Sequence, residues 1–451
     1  MDISNIKQAY FIGIGGIGMS ALARYFRNKG CLVFGYDKTK TALTNELVKE
    51  GIHIIYEDDP NQIPEVFNIA NDHSLVVITP AIPDDLKIKT ALAQMGHVLY
   101  KRAWILGQIS RHHFTVAIAG THGKTTISCL IAHMLTSSGI SCSAFLGGIA
   151  TNYKSNFISS DSNILVVEAD EYDRSFLSLH PDIAIVTATD ADHLDIYGEK
   201  NLLVDSFKLF VGQTVTNGLR IIKKGLDLPS DINYDFEGPA DAYSTEKRIV
   251  DGEYYFNYHQ SHIDIPDIHL GIPGDHNIEN AVAAITAVLK LGVSPNLIKQ
   301  ALSSFRGVKR RFEYIVKNEH HIYIDDYAHH PEELKALFGA VKQLYPHKRL
   351  TVIFQPHLFT RTRDFGVDFA RILALADELI LLPIYPAREN AIEGISSDWL
   401  LEQVEGTDKK VLDFQAVLKH IEQKQPELLL TVGAGDIDKL VNPLKEVLNN
   451  D

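Results

Sequence analysis

The sequence predicts an α/β protein of three domains, and three observations carry that expectation. Its 451 residues, 45% of them hydrophobic, hold material for more than one core, since a domain usually takes roughly 100 to 200 residues. Short apolar runs alternate with segments of helical period along most of the chain, the pattern of parallel strands covered by helices. The alternation falls into three successive series, which divide the chain at 1–106, 107–306 and 307–451.

The first series has apolar strands at 9–12, 31–36 and 75–79. After the first of them, Gly13-Ile14-Gly15-Gly16-Ile17-Gly18 opens a helix with Ala21, Leu22, Tyr25 and Phe26, and Asp37 stands at the end of the next strand. A G-x-G-x-x-G loop between strand and helix is a Rossmann-like arrangement whose glycines let backbone approach a pyrophosphate. NAD(P) and a UDP-linked substrate both carry that group, so the motif leaves both open.

The second series opens with a strand at 114–119, which runs into Gly120-Thr121-His122-Gly123-Lys124-Thr125-Thr126 and then a helix with Ile127, Leu130, Ile131, Met134 and Leu135 at 3.6-residue spacing. Strand, glycine loop and helix in this order form a P-loop-type site for a nucleoside triphosphate. Backbone N–H groups close on phosphate oxygens, Lys124 reaches the β and γ phosphates, and the Thr125 hydroxyl can ligate Mg²⁺. The full pattern has glycine where this chain has Ile118, so the loop is a shortened form. Further strands are expected at 164–167 and 183–187, each ending in an acidic run: Glu168-Ala169-Asp170-Glu171-Tyr172-Asp173 and Asp190-Ala191-Asp192-His193-Leu194-Asp195. Ligands bind at such carboxyl ends, although an acidic run is as often a solvated loop. A less regular stretch at 211–273 contains one expected hairpin, Val250-Asp251-Gly252 with Tyr254, Tyr255 and Phe256. Asp275-His276-Asn277-Ile278-Glu279-Asn280 then begins a helix with stripe Ile278, Val282, Ile285 and Leu289, placing His276 and Asn280 on the side away from the core.

The third series has strands at 322–324, 350–354, 379–382 and 428–432, with a helix begun by Pro331 whose stripe is Leu334, Leu337, Phe338, Val341 and Leu344. Three charged clusters fall at its junction and strand ends: Lys309-Arg310-Arg311-Phe312-Glu313, the segment 325–331 and the segment 355–364. Arginines in such places suit carboxylate or phosphate, and singly each also reads as a surface ion pair.

The formal charge of −14 argues against a nucleic-acid or anionic-membrane binder, which needs surplus Lys and Arg. Cys31, Cys129 and Cys142 have no metal-ligand spacing and make no disulfide framework, as expected in a reducing cytosol. No basic leader with an apolar stretch opens the chain, and no run of about 18 apolar residues occurs. A cytoplasmic monomer or weak homodimer is expected.

Taken together, the segments GIGGIGMS, GTHGKTT, EADEYDRSFL, DADHLD, GDHNIENA, GVKRRFE, DDYAHHP and FQPHLFTRTRD resemble the Mur ligase family over nearly the whole chain. The resemblance implies a Rossmann-like first domain that binds UDP-sugar through Gly13, Gly15, Gly16, Gly18 and Asp37, a central ATP-binding domain, and a Rossmann-like third domain for the amino acid. ATP would meet Gly120, Thr121, His122, Gly123, Lys124, Thr125 and Thr126, with His276, Asn277 and Asn280 on the adenine side and Arg311 and Asp325 from the third domain. Lys124, Glu168 and His193 would be catalytic, Thr125 and Glu168 holding one Mg²⁺ and His193 another. Tyr327, His329, Arg361 and Arg363 would face the amino acid, the arginines holding its carboxylate. The partners implied are UDP-N-acetylmuramate and L-alanine, joined when ATP converts the lactyl carboxylate to an acyl phosphate that the amine attacks.

Two departures stand out. Several family members carry a carbamylated lysine about where Lys208 stands, fifteen positions after His193, whereas alanine-adding members generally lack it; and Leu358 occupies a position where relatives have arginine. Rival readings are a ligase that recycles released peptide onto the same sugar nucleotide, an NAD(P)-dependent oxidoreductase, and a nucleotide-binding regulator without turnover.

Overall fold

A computed structural model of the chain describes residues 3–190, 200–387 and 389–449. They form two compact units, the first Met1–Arg248 with Tyr255–Gly271 and Asn277–Arg306, the second Ile249–Tyr254 and Ile272–His276 with Gly307–Asp451.

The first unit opens with a five-stranded sheet of β1 (Gln8–Ile12), β2 (Leu32–Tyr36), β3 (His53–Ile55), β4 (Ser74–Ile78) and β5 (Leu99–Lys101), in the order β3-β2-β1-β4-β5. All neighbours are parallel. Helices α1 (Ile17–Asn28), α2 (Ala42–Lys49), α3 (Lys87–Gln94) and α4 (Arg102–Ser110) connect and follow the strands. The order reverses at β1, and Gly13 begins the loop at that point, where open parallel sheets bind ligands. The strand placements expected at 9–12, 31–36 and 75–79 hold to within a residue.

A ten-stranded sheet follows. Its members are β6 (Phe114–Ala119), β7 (Ser143–Ala150), β8 (Ser155–Ile158), β9 (Ile164–Glu168), β10 (Ile183–Val186), β11 (Leu219–Lys223), β12 (Ile232–Glu237), β13 (Ala242–Val250), β14 (Glu253–Gln260) and β15 (Ile263–Leu270). They lie in the order β15-β14-β13-β12-β11-β10-β6-β9-β7-β8. β6 runs parallel to both β10 and β9, so the phosphate loop also leaves a point where the order reverses. Helices α5 (Lys124–Ser137), α6 (Lys200–Gly212), α7 (Asp275–Lys290) and α8 (Pro295–Ser304) belong to this part of the chain. The stretch at 211–273 is therefore more regular than its sequence predicts. β13 carries charged residues on largely exposed backbone, and only β14, with Tyr254, Phe256 and Tyr258 buried in alternation, shows a clean period of two. The expected hairpin between them is present, with positive φ at both Asp251 (53°) and Gly252 (78°), as a tight turn between twisted strands requires.

The two sheets of the first unit share one core, in which Phe11, Leu22 and Phe26 are continuous with Phe145, Phe157, Phe176 and Phe207. Burying such a side chain stabilises by about 1.5–3 kcal/mol. α4 runs through the expected boundary at Leu106, and Gly107 presses so closely on Ser178 that a Cβ there would stand 2.5 Å from its carbonyl. A polar joint adds to the seam: buried Arg24 pairs with Glu50 and donates to the Asn156 amide oxygen, while Asn156 Nδ2 donates to the Ile17 carbonyl at 2.5 Å and to Ser20 Oγ at 2.9 Å.

In the second unit, β16 (Glu313–Lys317), β17 (Ile322–Asp326), β18 (Leu350–Phe354), β19 (Glu378–Leu381), β20 (Asp408–Val411) and β21 (Leu428–Val432) make a six-stranded sheet in the order β16-β17-β21-β18-β19-β20. Only the β16–β17 pair is antiparallel. Its helices are α9 (Pro331–Leu344), α10 (Phe359–Asp364), α11 (Gly366–Leu373), α12 (Ser397–Gln403), α13 (Phe414–Lys424) and α14 (Val441–Asn449). α9 begins at Pro331 and buries Leu334, Leu337, Phe338 and Val341, as its stripe predicts. No helix among the described residues is long and apolar enough to cross a membrane.

Replacing Arg24 with Met strands the Asn156 amide and the Glu50 carboxylate. Chemical denaturation followed by tryptophan fluorescence is expected to show a loss of about 1–3 kcal/mol, the cost of leaving a buried polar partner unpaired.

Candidate active site

The phosphate loop is shaped by close backbone approach. Gly120 has φ +126° and Gly123 φ +81°, values that favour glycine. A Cβ on Gly120 would lie 2.1 Å from Thr187 Oγ1, and one on Gly123 2.5 Å from Asn280 Oδ1. Thr187 Oγ1 donates to the His122 carbonyl, Thr121 N donates to the Ala188 carbonyl, and Asp190 N donates to Thr121 Oγ1. The end of β10 thus clamps the loop. α5 starts at Lys124 with Gly123 as its N-cap and no side-chain cap, so its first amides face the loop.

Lys124 Nζ donates to the Gly120 carbonyl at 2.6 Å and to both carboxylate oxygens of Glu171 at 2.9 Å. The Glu171 side chain is 1% exposed. Desolvation works against the ammonium, but Glu171, then Glu168 and Asp170, outweigh it and hold the lysine pKa above its ordinary value. Inside a run of acids nothing in the sequence distinguishes Glu171, and only the fold aims it at Lys124. Glu168, at the end of β9, accepts from Gly147 N at 3.0 Å.

His276 is exposed, as its expected side of the helix implies, whereas Asn280 is buried, which corrects its expected outward placement, and Asn277 is buried beside it. Asn280 Nδ2 donates to Asn277 Oδ1 at 3.3 Å, and its amide stands over Gly123. Asn280 therefore shapes the loop directly, because a polar face can be turned toward a second buried site rather than toward water.

The Thr125 hydroxyl and the Glu168 carboxylate are oxygen groups of the kind that could hold Mg²⁺. Among the described residues no three His, Cys, Asp or Glu side chains gather into a metal cage. His193 lies outside the described residues. Lys208 bonds to Asp227 at 2.8 Å and is 42% exposed; that pairing favours the ammonium, whereas carbamylation needs the neutral amine.

In the first sheet, Gly13 has φ +85° and α1 starts after Gly16 without a side-chain cap. Asp37, expected to meet a ligand, is taken up by the loop: its Oδ2 accepts from Gly15 N at 2.7 Å and its Oδ1 from Thr39 N at 2.9 Å. Gly15 has no room for a side chain, since a Cβ would lie 2.8 Å from Asp37.

The second unit gathers another set of groups at the ends of β17 and β18. Asp325 is fully buried, and its carboxylate accepts from Arg310 Nε at 3.1 Å and Thr431 Oγ1 at 2.6 Å. It holds Arg310, whose guanidinium also reaches the Gly433 carbonyl at 2.5 Å. Tyr327 is flanked by Arg310 and Arg311, at 5.2 and 5.5 Å from its ring centroid. Asp326 accepts from Phe312 N and Ala328 N, and burial pushes its pKa up to about 6.

His329 and His357 meet edge to face at 5.8 Å, and His357 stacks on Tyr385 at 5.7 Å. Desolvation lowers both imidazoles, His357 to about 4, and the Arg361 charge lowers both further. Arg361 therefore stands beside the pair, whereas Arg363 is 50% exposed and bonds to Asp364 at 2.7 Å. The structure brings together Tyr327, His329 and Arg361 and leaves Arg363 aside. Leu358 has φ +70° at the start of α10, a strained conformation costing about 1–3 kcal/mol, and its N–H is held by the Tyr385 carbonyl.

Comparison with known proteins agrees with this layout. Residues 8–114 match the Mur ligase family catalytic domain, 118–288 the Mur ligase middle domain, and 310–435 the Mur ligase glutamate ligase domain. A UDP-N-acetylmuramate–L-alanine ligase of Christiangramia forsetii is 44% identical over 99% of both chains. The crystal structure of a UDP-N-acetylmuramate-alanine ligase from Thermotoga maritima superposes with TM-score 0.82 at 28% identity, covering 97% of this chain and 98% of that one. A murein peptide ligase from Psychrobacter arcticus has the same fold, with TM-score 0.70 at 22% identity and 99% of each chain covered.

Two outcomes test the site. Because Glu171 competes with phosphate for Lys124, Glu171→Gln is expected to tighten ATP binding roughly threefold to tenfold in calorimetry, the effect of about 1 kcal/mol. Asp326 binds its proton more tightly folded than unfolded, so its ionisation weakens the fold as pH rises from about 4 to about 6. Denaturation of Asp326→Asn is expected to lack that part of the pH slope.

Proposed function

The chain belongs to the Mur ligase family, and from that premise we propose that it joins L-alanine to the lactyl carboxylate of UDP-N-acetylmuramate at the expense of ATP. The observation that carries the proposal is the glycine loop holding Lys124, in a chain 44% identical over 99% of its length to an L-alanine ligase. A free carboxylate resists an amine because its charge repels the nucleophile and oxide is a poor leaving group. Phosphorylation removes both obstacles: the γ-phosphoryl group passes to a carboxylate oxygen, giving an acyl phosphate and ADP. The unprotonated amine then attacks the acyl carbon, phosphate leaves with the C–O bond, and the nitrogen sheds a proton.

Each group has a place in that sequence. The amides of residues 120–125 and the Lys124 ammonium receive the β and γ phosphates, and Lys124 offsets charge that develops on the transferring group. Thr125 and Glu168 would hold Mg²⁺, which when bound would supply further neutralisation of the phosphoryl oxygens. The loop at Gly13 receives the diphosphate of the sugar nucleotide. In the second unit Arg361 holds the amino-acid carboxylate, and His329, neutral at pH 7, accepts a proton from the incoming ammonium. The cytosol, where ATP and the sugar nucleotide are found together, is the place for this reaction.

The oxidoreductase reading is disfavoured by Asp37. A dinucleotide fold offers that carboxylate to a ribose hydroxyl, whereas here both oxygens serve the chain's own backbone.

Phosphate release from ATP and Mg²⁺ is expected only with UDP-N-acetylmuramate and L-alanine together. Release that instead requires the L-Ala-D-Glu-diamino acid tripeptide would make the chain a recycling ligase, and tight ATP binding without turnover would make it a regulator.

A further inference from the structure

The last glycine of the G-x-G-x-x-G motif, Gly18, lies in the first turn of α1 and has no positive φ to explain it. Its missing side chain makes room for an arginine: a Cβ on Gly18 would stand 2.5 Å from Arg102 Nη1 and 3.1 Å from both Cδ and Cζ. Arg102 directly follows β5 as the first residue of α4, at the carboxyl edge of the sheet, so its guanidinium lies over the first turn of α1. From there Nη2 reaches Asp170 Oδ2 at 3.4 Å. Asp170 stands between Glu168 and Glu171, the acids around Lys124, and its Oδ1 is held by Tyr172 N.

Arg102 thus spans the two anion-binding loops of the first unit. The contact with Asp170 is long and the side chain is 22% exposed, so the ion pair does not exhaust a group with five N–H donors in a planar fork. That fork matches a phosphate in two-point fashion, and its charge adds to that of the uncapped α1 N-terminus.

We propose that Arg102 is a binding and positioning residue for the sugar nucleotide: its guanidinium grips the diphosphate beside Gly15 and Gly16, while Asp170 fixes its direction toward the ATP side. This rests on the glycine loop being the sugar-nucleotide site. Gly18 is then required for the arginine's seat, and the two residues act as one device.

The test compares Arg102→Met, Arg102→Lys, Gly18→Ala and the double variant Gly18→Ala/Arg102→Met. Arg102→Met is expected to raise KM for UDP-N-acetylmuramate roughly 10- to 100-fold, the range for losing charge-assisted hydrogen bonds, with KM for ATP and L-alanine changed less than about twofold. UDP alone, which has the diphosphate and no lactyl carboxylate, is expected to lose affinity by a similar factor in calorimetry. Arg102→Lys recovers part of the loss, and Gly18→Ala reproduces it while adding little in the double variant. An unchanged KM for the sugar nucleotide overturns the proposal, as does a loss for UDP-N-acetylmuramate that spares UDP, or a fall in melting temperature with all KM values intact. Failure of the underlying reading looks different, because the wild-type protein would then release no phosphate in response to UDP-N-acetylmuramate and L-alanine.

Discussion

Two backbone positions that admit no side chain govern the ATP site. Gly120 closes on Thr187 and Gly123 on Asn280, and these contacts come from two different elements, one following the end of β10 and the other α7. The loop conformation is therefore a property of the assembled sheet rather than of the heptapeptide. If β10 did not run parallel beside β6 in its observed register, the Thr187 hydroxyl would miss the His122 carbonyl, and the amides would have no fixed point to face. The same dependence explains why a shortened loop with Ile118 suffices. The turn is held by neighbours, so another glycine within it is unnecessary, and Ile118 remains a buried strand residue.

How far the sequence could be read follows from this division between local and assembled structure. Parallel strands buried on both faces are continuous apolar runs, so β1, β6, β18 and β21 fall where their residues predict. Edge and extension strands carry no such signal. β11 to β15 are polar or half-exposed, and the edge strand β8 is four residues long, too short for periodicity to speak. The loop glycines and Lys124 were legible because their chemistry is local.

Side chains that act through others were not legible. Asp37 and Asp325 stand at strand ends where a ligand group is expected, yet both turn inward, one to the Gly15 amide and the other to Arg310. Arg361 and Arg363 differ only in which side of one short helix they occupy. Two positions along a helix is a rotation of about 200°, so when one faces the histidine pair the other must face water and Asp364.

The charge arrangement follows from a conflict that the fold has to resolve. A protein of net charge −14 must hold a triphosphate and a sugar diphosphate, so the cations at its two loops have to be placed locally. A buried lysine without counter-charges would tend to lose its proton, and Glu171, Glu168 and Asp170 prevent that. Those same carboxylates then repel the triphosphate that Lys124 is meant to bind. The Lys124 ammonium alone does not offset those acids and a triphosphate together, and Arg102 shares in balancing Asp170. Arg102 meets the same need at the other loop. Seated between Gly18 and Asp170, it is a cation already balanced on one side, so that substrate charge can be added on the other without leaving an uncompensated group in the empty protein.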